Sequence, residues 1–401
     1  MTQSLTRLRG YERDNHSLRG FRAAASLHCH THHSKEVLNF IPHYVAMIPV
    51  ISRLFNSEMD RYLTVHGNKI DFASVWWTPP VSPRQVFEVE TFQIESRLGL
   101  SALVSITDHD DIEAGLRLQA LDAARRIPVS LEWTTPFGEG FFHLGVHNLP
   151  QERAIETVGE LLKYTERSAS AMTLRDLLAS LNESPQTLVV LNHPLWDIEF
   201  IGAERHARCL RAFLAEHGQW IHALEINGFR SWRENQAVIN LAEEIGLPVV
   251  TGGDRHGWAA NTMLNLTRAD SFEGLVAEIR EDSRSEILIM PEYRESLIAR
   301  TIGVVADVLR HYPNHPLGRS RWTDRVFMKL DENGAECPDT YALSHYWPNG
   351  GPKWVRAALW LLRMLGSREI RPALSLALGG ERVSFDKMGY EGLTELQGRS
   401  L

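Results

Sequence analysis

The chain is poor in cysteine: Cys29, Cys209 and Cys337 are the only three in 401 residues. Their spacing provides neither a disulfide framework nor a paired CxxC zinc site, so a reducing compartment, the cytoplasm, is the expected location. No uninterrupted apolar run reaches the roughly 20 residues that cross a bilayer, and residues 1–20 lack the apolar core of a secretory signal. A membrane is therefore not an expected partner. Blocks of Lys or Arg are also missing, and 42 basic against 50 acidic residues give a formal net charge of -8. That balance argues against neutralising a phosphate backbone, so a long nucleic acid is not an expected partner either. No internal repeat or low-complexity segment is present.

What remains is an ordinary globular composition, 43% hydrophobic and 23% charged, with ample material for a core. The length suits two or three domains, or one α/β barrel that absorbs about 250 residues by itself. After Phe21, short apolar bursts alternate with amphipathic stretches, the order that marks β/α units. Strands are expected at Ala23–His30, Ser101–Asp110, Ile127–Thr135, Gly140–His147, Gln186–Pro194, Ile221–Gly228, Leu247–Asp254 and Ser285–Met290. Helices are expected at Pro83–Gly99, Asp111–Arg126, Gln151–Thr165, Thr173–Leu181, near Glu204–Glu216, and at Arg233–Gly246 and Ser271–Asp282. This rhythm fits a parallel barrel or a doubly wound sheet.

Two stretches break the rhythm. Between Ser34 and Ser82 the chain inserts a long segment where a β/α connection normally takes about 2–6 residues; an insertion at a strand's C-terminal end suits a lid or specificity element. The second stretch is residues 293–401, where the apolar pattern of Lys353–Gly366 predicts a helix. That helix packs on the barrel in one reading and makes a homo-oligomer contact in the other.

The residues that carry chemistry sit at the expected strand ends. The stretch "SLHCHTHHS" holds His28, His30, His32 and His33. Residues two apart on a strand leave from one face, so His28 and His30 can share an ion, as can Asp254 and His256 in "GGDRH". His109, Glu132, His143 and His193 fall at or near the ends of other strands. A lone histidine such as His217 or His311 is usually a surface or satisfied core residue. Several imidazoles and carboxylates buried together without a cation would carry a large desolvation cost, which a metal cluster removes.

The motifs "LHCHTHHS", "ITDHD", "LEWTT" with "FHLGVH" following, "NHP", "LEIN" and "GGDRH", in that order over about Phe21–Trp258, resemble the polymerase-and-histidinol-phosphatase (PHP) family of metal-dependent phosphoesterases. The resemblance implies an α/β fold, a distorted (β/α)7 TIM-like barrel over 21–292. A lid or specificity insertion lies at about 35–82, a short extension at 1–20, and a C-terminal helical extension at 293–401. It also implies two or three divalent ions (Mn, Zn or Fe) at the C-terminal mouth, held by His28, His30, His109, Glu132, His143, His193, Asp254 and His256. A mixed imidazole and carboxylate set suits these metals without choosing among them. The implied substrate is a phosphate mono- or diester of a small molecule, attacked by a hydroxide shared between ions. Glu132 is the natural bridging carboxylate. His193 or Asp254 protonates the leaving oxygen, and Asp108 orients a ligand imidazole.

The sequence departs from the family in placing Ser26 and Lys35 where acidic or imidazole residues are common, so His32, His33 or a lid residue would supply one metal position. Arg255, where a small residue is usual, either binds substrate phosphate or pairs with a carboxylate; Lys35 is a substrate ligand or a solvated lysine. Two other readings stand beside the phosphoesterase: an amidohydrolase-like enzyme using the same metals, and a non-catalytic metal-binding barrel.

Overall fold

The helix Pro83–Leu98 shows how closely local chemistry sets the boundaries. Ser82 caps its start, with Gln85 answering across a capping box, and Gly99 ends it at φ 65°, a left-handed conformation that glycine adopts without penalty. The chain then enters a strand at Ser101, as the sequence predicts.

The computed structural model describes residues 5–12, 18–67, 69–121, 124–167, 172–330 and 339–383. Parts of the expected extensions at 1–20 and 293–401, and with them Cys337, lie outside the described residues. In chain order the strands are β1 (Thr6–Gly10), β2 (Ala23–Cys29), β3 (Glu36–Val37), β4 (Val75–Trp77), β5 (Ser101–Val104), β6 (Leu131–Phe137), β7 (Gly140–His147), β8 (Leu188–Leu191), β9 (Ala223–Asn227), β10 (Val249–Arg255), β11 (Met263–Thr267), β12 (Ser285–Ile289), β13 (Val326–Leu330) and β14 (Asp339–Ala342).

The larger sheet runs β1-β12-β11-β2-β10-β9-β8-β7-β6, with β5 on β2. Pairing is parallel through β5, β2, β10, β9 and β8, and antiparallel across β8, β7 and β6. The segment after β5 meets β6 through a parallel bridge between His109 and Glu132. This mixed sheet has a strand order compatible with a distorted barrel. Every residue of β8, β9 and β10 is buried, the pattern of strands covered on both faces. The main core gathers Trp133, Leu144, Leu178, Phe213 and Leu224 beneath the surrounding helices. Trp133 is fully buried and donates its Nε1–H to the Thr165 hydroxyl at 2.9 Å and the Leu161 carbonyl at 3.2 Å.

Several elements differ from the sequence reading. The helix expected over Asp111–Arg126 is Glu113–Leu118 only; tight turns follow, tied by Gln119 Nε2 donating to the Ile127 carbonyl, and residues 122–123 lie outside the described residues. Two strands had no clear signal: β1, whose Leu8 is flanked by arginines and which pairs with β12, and β11, inserted between β2 and β12.

The largest difference concerns the two irregular stretches, which fold together. A second sheet in the order β14-β13-β4-β3 draws β3 and β4 from the insertion and β13 and β14 from the tail. The tail is thus not helical throughout: its "VFMKL" run has the apolar, β-prone character of a strand. Trp76 stacks on Phe327 at 5.7 Å, and Tyr62, Val75, Met328 and Leu343 make a small core of their own. Among the described residues no helix is long and apolar enough to cross a membrane.

Candidate metal centre

Glu132 is the hub of the site. It lies near the start of β6 rather than at a strand's end, because residues 127–130 make no ladder. Its Oε1 lies 3.2 Å from His193 Nε2 and 3.3 Å from His143 Nδ1, and accepts from Asn192 Nδ2 at 2.9 Å. Its Oε2 lies 3.0 Å from His28 Nε2, 3.4 Å from His30 Nε2 and 3.4 Å from His109 Nδ1. Asp254 Oδ1 stands 3.5 Å from His30 Nε2 and 3.9 Å from His28 Nε2. With His256 Nδ1 3.8 Å from Asp254 Oδ1, all eight residues named from the sequence as ligands meet in one cluster.

The ninth member escaped the sequence reading. Glu36, on β3, places Oε2 3.2 Å from His109 Nε2 and Oε1 3.2 Å from His256 Nε2. Its second oxygen contact, His30 Nδ1, is at 3.6 Å. It is the neighbour of Lys35, the residue that had stood for a missing acidic position; Lys35 itself is exposed. The Ser34 hydroxyl donates to Glu36 Oε1 at 2.6 Å, fixing the carboxylate's orientation.

Four overlapping groups of donors could each hold an ion: His28, His30 and Asp254; His28, Glu132 and His193; His30, His109 and Glu132; His30, Glu36 and His256. Because they share His28, His30 and Glu132, they form one cluster consistent with a site for more than one metal. A direct observation supports the fit. His28 Nε2, His30 Nε2, Glu132 Oε2, His143 Nδ1 and His256 Nε2 are buried without a hydrogen-bond partner, and buried polar atoms are seldom left so. A cation would satisfy them together.

The electrostatics agree. Burial pushes Glu132 and Glu36 up, but the imidazoles of His28, His143 and His109 on one, and of His109, His256 and His30 on the other, outweigh it and hold both carboxyls well below their usual range. Burial depresses His30 and His143 to about 4, which favours imidazoles with a lone pair to offer; at His28, His109 and His256 the carboxylates of Glu132, Glu225 and Glu36 outweigh burial and raise the pKa, so an ion bound there would have to displace a proton.

Supporting contacts fix the donors. His28 Nδ1 lies 2.6 Å from Glu225 Oε1, the acidic residue of "LEIN"; a proton held there leaves Nε2 as the lone-pair atom facing the cluster. Glu225 is held by the His193 backbone N–H at 3.0 Å and Asn227 Nδ2 at 3.1 Å. Asp108 has another task than the one expected: it binds no imidazole, and instead accepts from the Thr31 N–H at 2.5 Å and the Thr31 hydroxyl at 2.7 Å, tethering the His-rich loop. His32 and His33 stand apart from the donor groups, their rings 4.5 Å from each other, with His315 of the tail 5.7 Å from His32.

The backbone pays for this convergence. His28, His193 and Asp254 have φ of 61°, 29° and 46°, a region L-residues enter at a cost of about 1–3 kcal/mol each. His28 and Asp254 lie where the β2–β10 register slips, so the bulge re-aims both side chains. Gly252, in the same bulge, has no room for a methyl group: a Cβ there would overlap the Glu225 carboxylate and the His28 Cβ. Gly252→Ala is accordingly expected to move Glu225 off His28 and weaken metal binding by roughly 10–100-fold, the effect of losing a supporting partner. Titration with a metal indicator checks this; unchanged affinity in a folded variant would remove Glu225 from the argument.

Of the two basic residues, Lys35 is exposed, and Arg255 meets a carboxylate that is buried rather than on the surface. Arg255 is buried, its Nε 2.9 Å from Glu90 Oε1 and its Nη2 donating to the Gly257 carbonyl at 2.7 Å. It lines, with His256, Trp258, Phe229 and Arg300, a cavity of about 510 Å³ beside the cluster. Trp77 of β4 stands 5.6 Å from the His256 ring, and the tail contributes Val304, Asp307 and Arg371 to the cavity wall.

No family profile matches the sequence, and no curated protein sequence matches it. Among solved structures, the chain is similar to PsfC from Pseudomonas syringae PB-5123, at 16% identity and a TM-score of 0.37 over 54% of this chain and 86% of that one. It is similar to a proposed metal-dependent phosphoesterase from Bifidobacterium adolescentis ATCC 15703, at 14% identity and a TM-score of 0.31 over 46% and 85%. It is also similar to an amidohydrolase from Chromobacterium violaceum with bound sulfate and no metal, at 16% identity and a TM-score of 0.31 over 44% and 83%.

Proposed function

We propose that the protein is a metal-dependent hydrolase whose substrate is a phosphate mono- or diester of a small molecule. The observation that carries this reading is the ring of buried, unpartnered donor atoms around Glu132. Divalent ions bound there would lower the pKa of water and neutralise charge growing on the phosphoryl oxygens. His28, His30, His109, Glu132, His143, His193, Asp254 and His256, joined by Glu36, would hold them. Residues 21–292 form the metal-binding unit, and the segments at 35–82 and 293–401 form its shared cover.

The chain's own groups supply orientation and proton transfer. Glu225 keeps the His28 proton on Nδ1. Asp254 turns Oδ1 to the imidazoles of His28 and His30 while Oδ2 faces Arg230 at 4.0 Å. Asp254 would ligate through Oδ1 and relay a proton from the attacking water to the leaving oxygen through Oδ2, while His193, whose Nε2 faces Glu132, would serve as a ligand. The cavity beside His256 has the volume for a small organic group, and the acidic balance of the chain disfavours a long nucleic acid.

The same donors would activate water against an amide, and the motif resemblance is what favours the phosphoryl group. Metal-reconstituted protein assayed on phosphomonoester, phosphodiester and amide panels separates the readings. Turnover of phosphoesters with inhibition by inorganic phosphate is expected. Amide turnover alone would replace this reading, and metal binding without any turnover would leave a non-catalytic barrel.

A further inference from the structure

A folded protein usually satisfies its sheltered guanidinium groups, and this one does so at Arg325 and Arg300. Arg325, 1% exposed, donates through Nη1 and Nη2 to the carbonyls of Arg319, Ser320, Val308 and Arg310. Arg300 donates to the carbonyls of Glu295, Gly228 and Arg230. Arg255 spends Nε and Nη2 on Glu90 and two carbonyls and leaves Nη1 alone without a partner.

Arg230 is the one among the described residues with two such nitrogens unpartnered, Nε and Nη2, and it stands at the metal centre. It follows β9, and its carbonyl is pinned by the Tyr293 hydroxyl at 3.1 Å and by Arg300 Nη2 at 3.0 Å. Its guanidinium lies over the Trp196 ring, 3.6 Å from the centroid, and Trp196 packs 5.1 Å from the His193 ring. Its Nη2 is 4.0 Å from Asp254 Oδ2 and its Nε 3.8 Å from Glu234 Oε1. Both are beyond hydrogen-bond reach, and both nitrogens are buried without a partner. A pinned backbone, a stacked charge and idle donors beside a ligand carboxylate describe a group held ready for something else.

We propose that Arg230 grips a non-bridging oxygen of the substrate's tetrahedral anion, with Trp196 as its rigid backing. The proposal rests on the phosphoesterase reading and names the residue that reads the phosphoryl group. A planar fork suits two such oxygens in a way a point charge does not. Stacking on Trp196 preserves the cation while fixing its plane. Asp254 at 4.0 Å balances the charge before the anion arrives. The same grip would hold inorganic phosphate as product, which provides a simple probe.

The test uses the full chain reconstituted with Mn or Zn, and compares the natural protein with Arg230→Met and Arg230→Lys. Metal content is read by elemental analysis, folding by circular dichroism, and inorganic phosphate binding by calorimetry. The expected result is unchanged metal content in both variants, with phosphate affinity falling at least about tenfold in Arg230→Met, the loss of a charged hydrogen-bonding partner, and less in Arg230→Lys. KM should rise more than kcat falls. Should Arg230→Met not fold, Arg230→Lys decides alone, since it keeps the charge and loses the fork. Phosphate affinity equal to that of the natural protein in a metal-loaded variant overturns the proposal. So does a loss of metal in step with phosphate, which would make Arg230 a positioning residue for Asp254. If the natural protein holds metal yet neither binds phosphate nor cleaves phosphoesters, the phosphoesterase reading itself fails, a result the variants are not needed to see.

Discussion

Glu132→Ala is expected to give a folded protein that retains less than half of the natural metal content and turns over more slowly by more than the roughly 100-fold that loss of a supporting partner can cost. The reason is the number of groups that meet at this carboxylate. Its two oxygens face His28, His30, His109, His143 and His193 at 3.0 to 3.4 Å, and it belongs to two of the four donor groups. Glu36 also faces imidazoles through both oxygens, but three of them against five here. Glu132→Gln keeps the shape and the Asn192 contact in part but removes the charge, so it should fall between the two. A second readout does not depend on activity. A ligand that binds only the folded state raises thermal stability by mass action, so added Mn or Zn should raise the melting temperature of the natural protein and leave that of Glu132→Ala nearly unmoved. Full metal content in Glu132→Ala would sink the hub assignment.

Much of this site could be read from the chain because its donors obey two regular rules. His28 with His30, and Asp254 with His256, follow the period of a strand, while His109 and His193 follow apolar bursts long enough to be recognised as strands. The parallel connectivity then brings those ends together. What could not be read follows no period. Glu36 sits on a strand of two residues, too short to show alternation, and its position is fixed by pairing with Trp77 far along the chain. Glu225 was visible in "LEIN" but its role is a contact with His28, made across two strands. Arg230 is distinguished only by hydrogen bonds that it does not make, which no sequence displays. The bulge at His28 and Asp254 is likewise silent, since it joins residues on strands remote in sequence. Lys353–Gly366 dominates the tail's pattern and predicts a helix; β13 forms because β4 offers it an edge, and β14 pairs with β13 in turn.

That shared sheet leads to the second large effect. Glu36→Ala is expected to leave the group of His28, Glu132 and His193 intact while dissolving the one formed with His30 and His256. Bound metal should therefore fall by part of its natural value rather than to zero, and turnover should fall by at least about 100-fold, since charge neutralisation on the phosphoryl oxygens would be incomplete. Elemental analysis of the refolded and reconstituted variant checks this, and full metal content would make Glu36 a counter-charge to His109 and His256 and nothing more. The position of Glu36 depends on the tail: Glu36 pairs with Trp77, and Trp76 and Trp77 pair with Phe327 and Val326 of β13. Phe327, 9% exposed and stacked on Trp76, is the lever. Phe327→Asp places a charge in that contact and should loosen β13 from β4 without touching any donor. If it lowers metal content as Glu36→Ala does, while the main core around Trp133 keeps its circular dichroism, the centre is completed by chain segments nearly 300 residues apart. If metal content is unaffected, β3 holds Glu36 by itself and the tail serves only as a roof over the cavity.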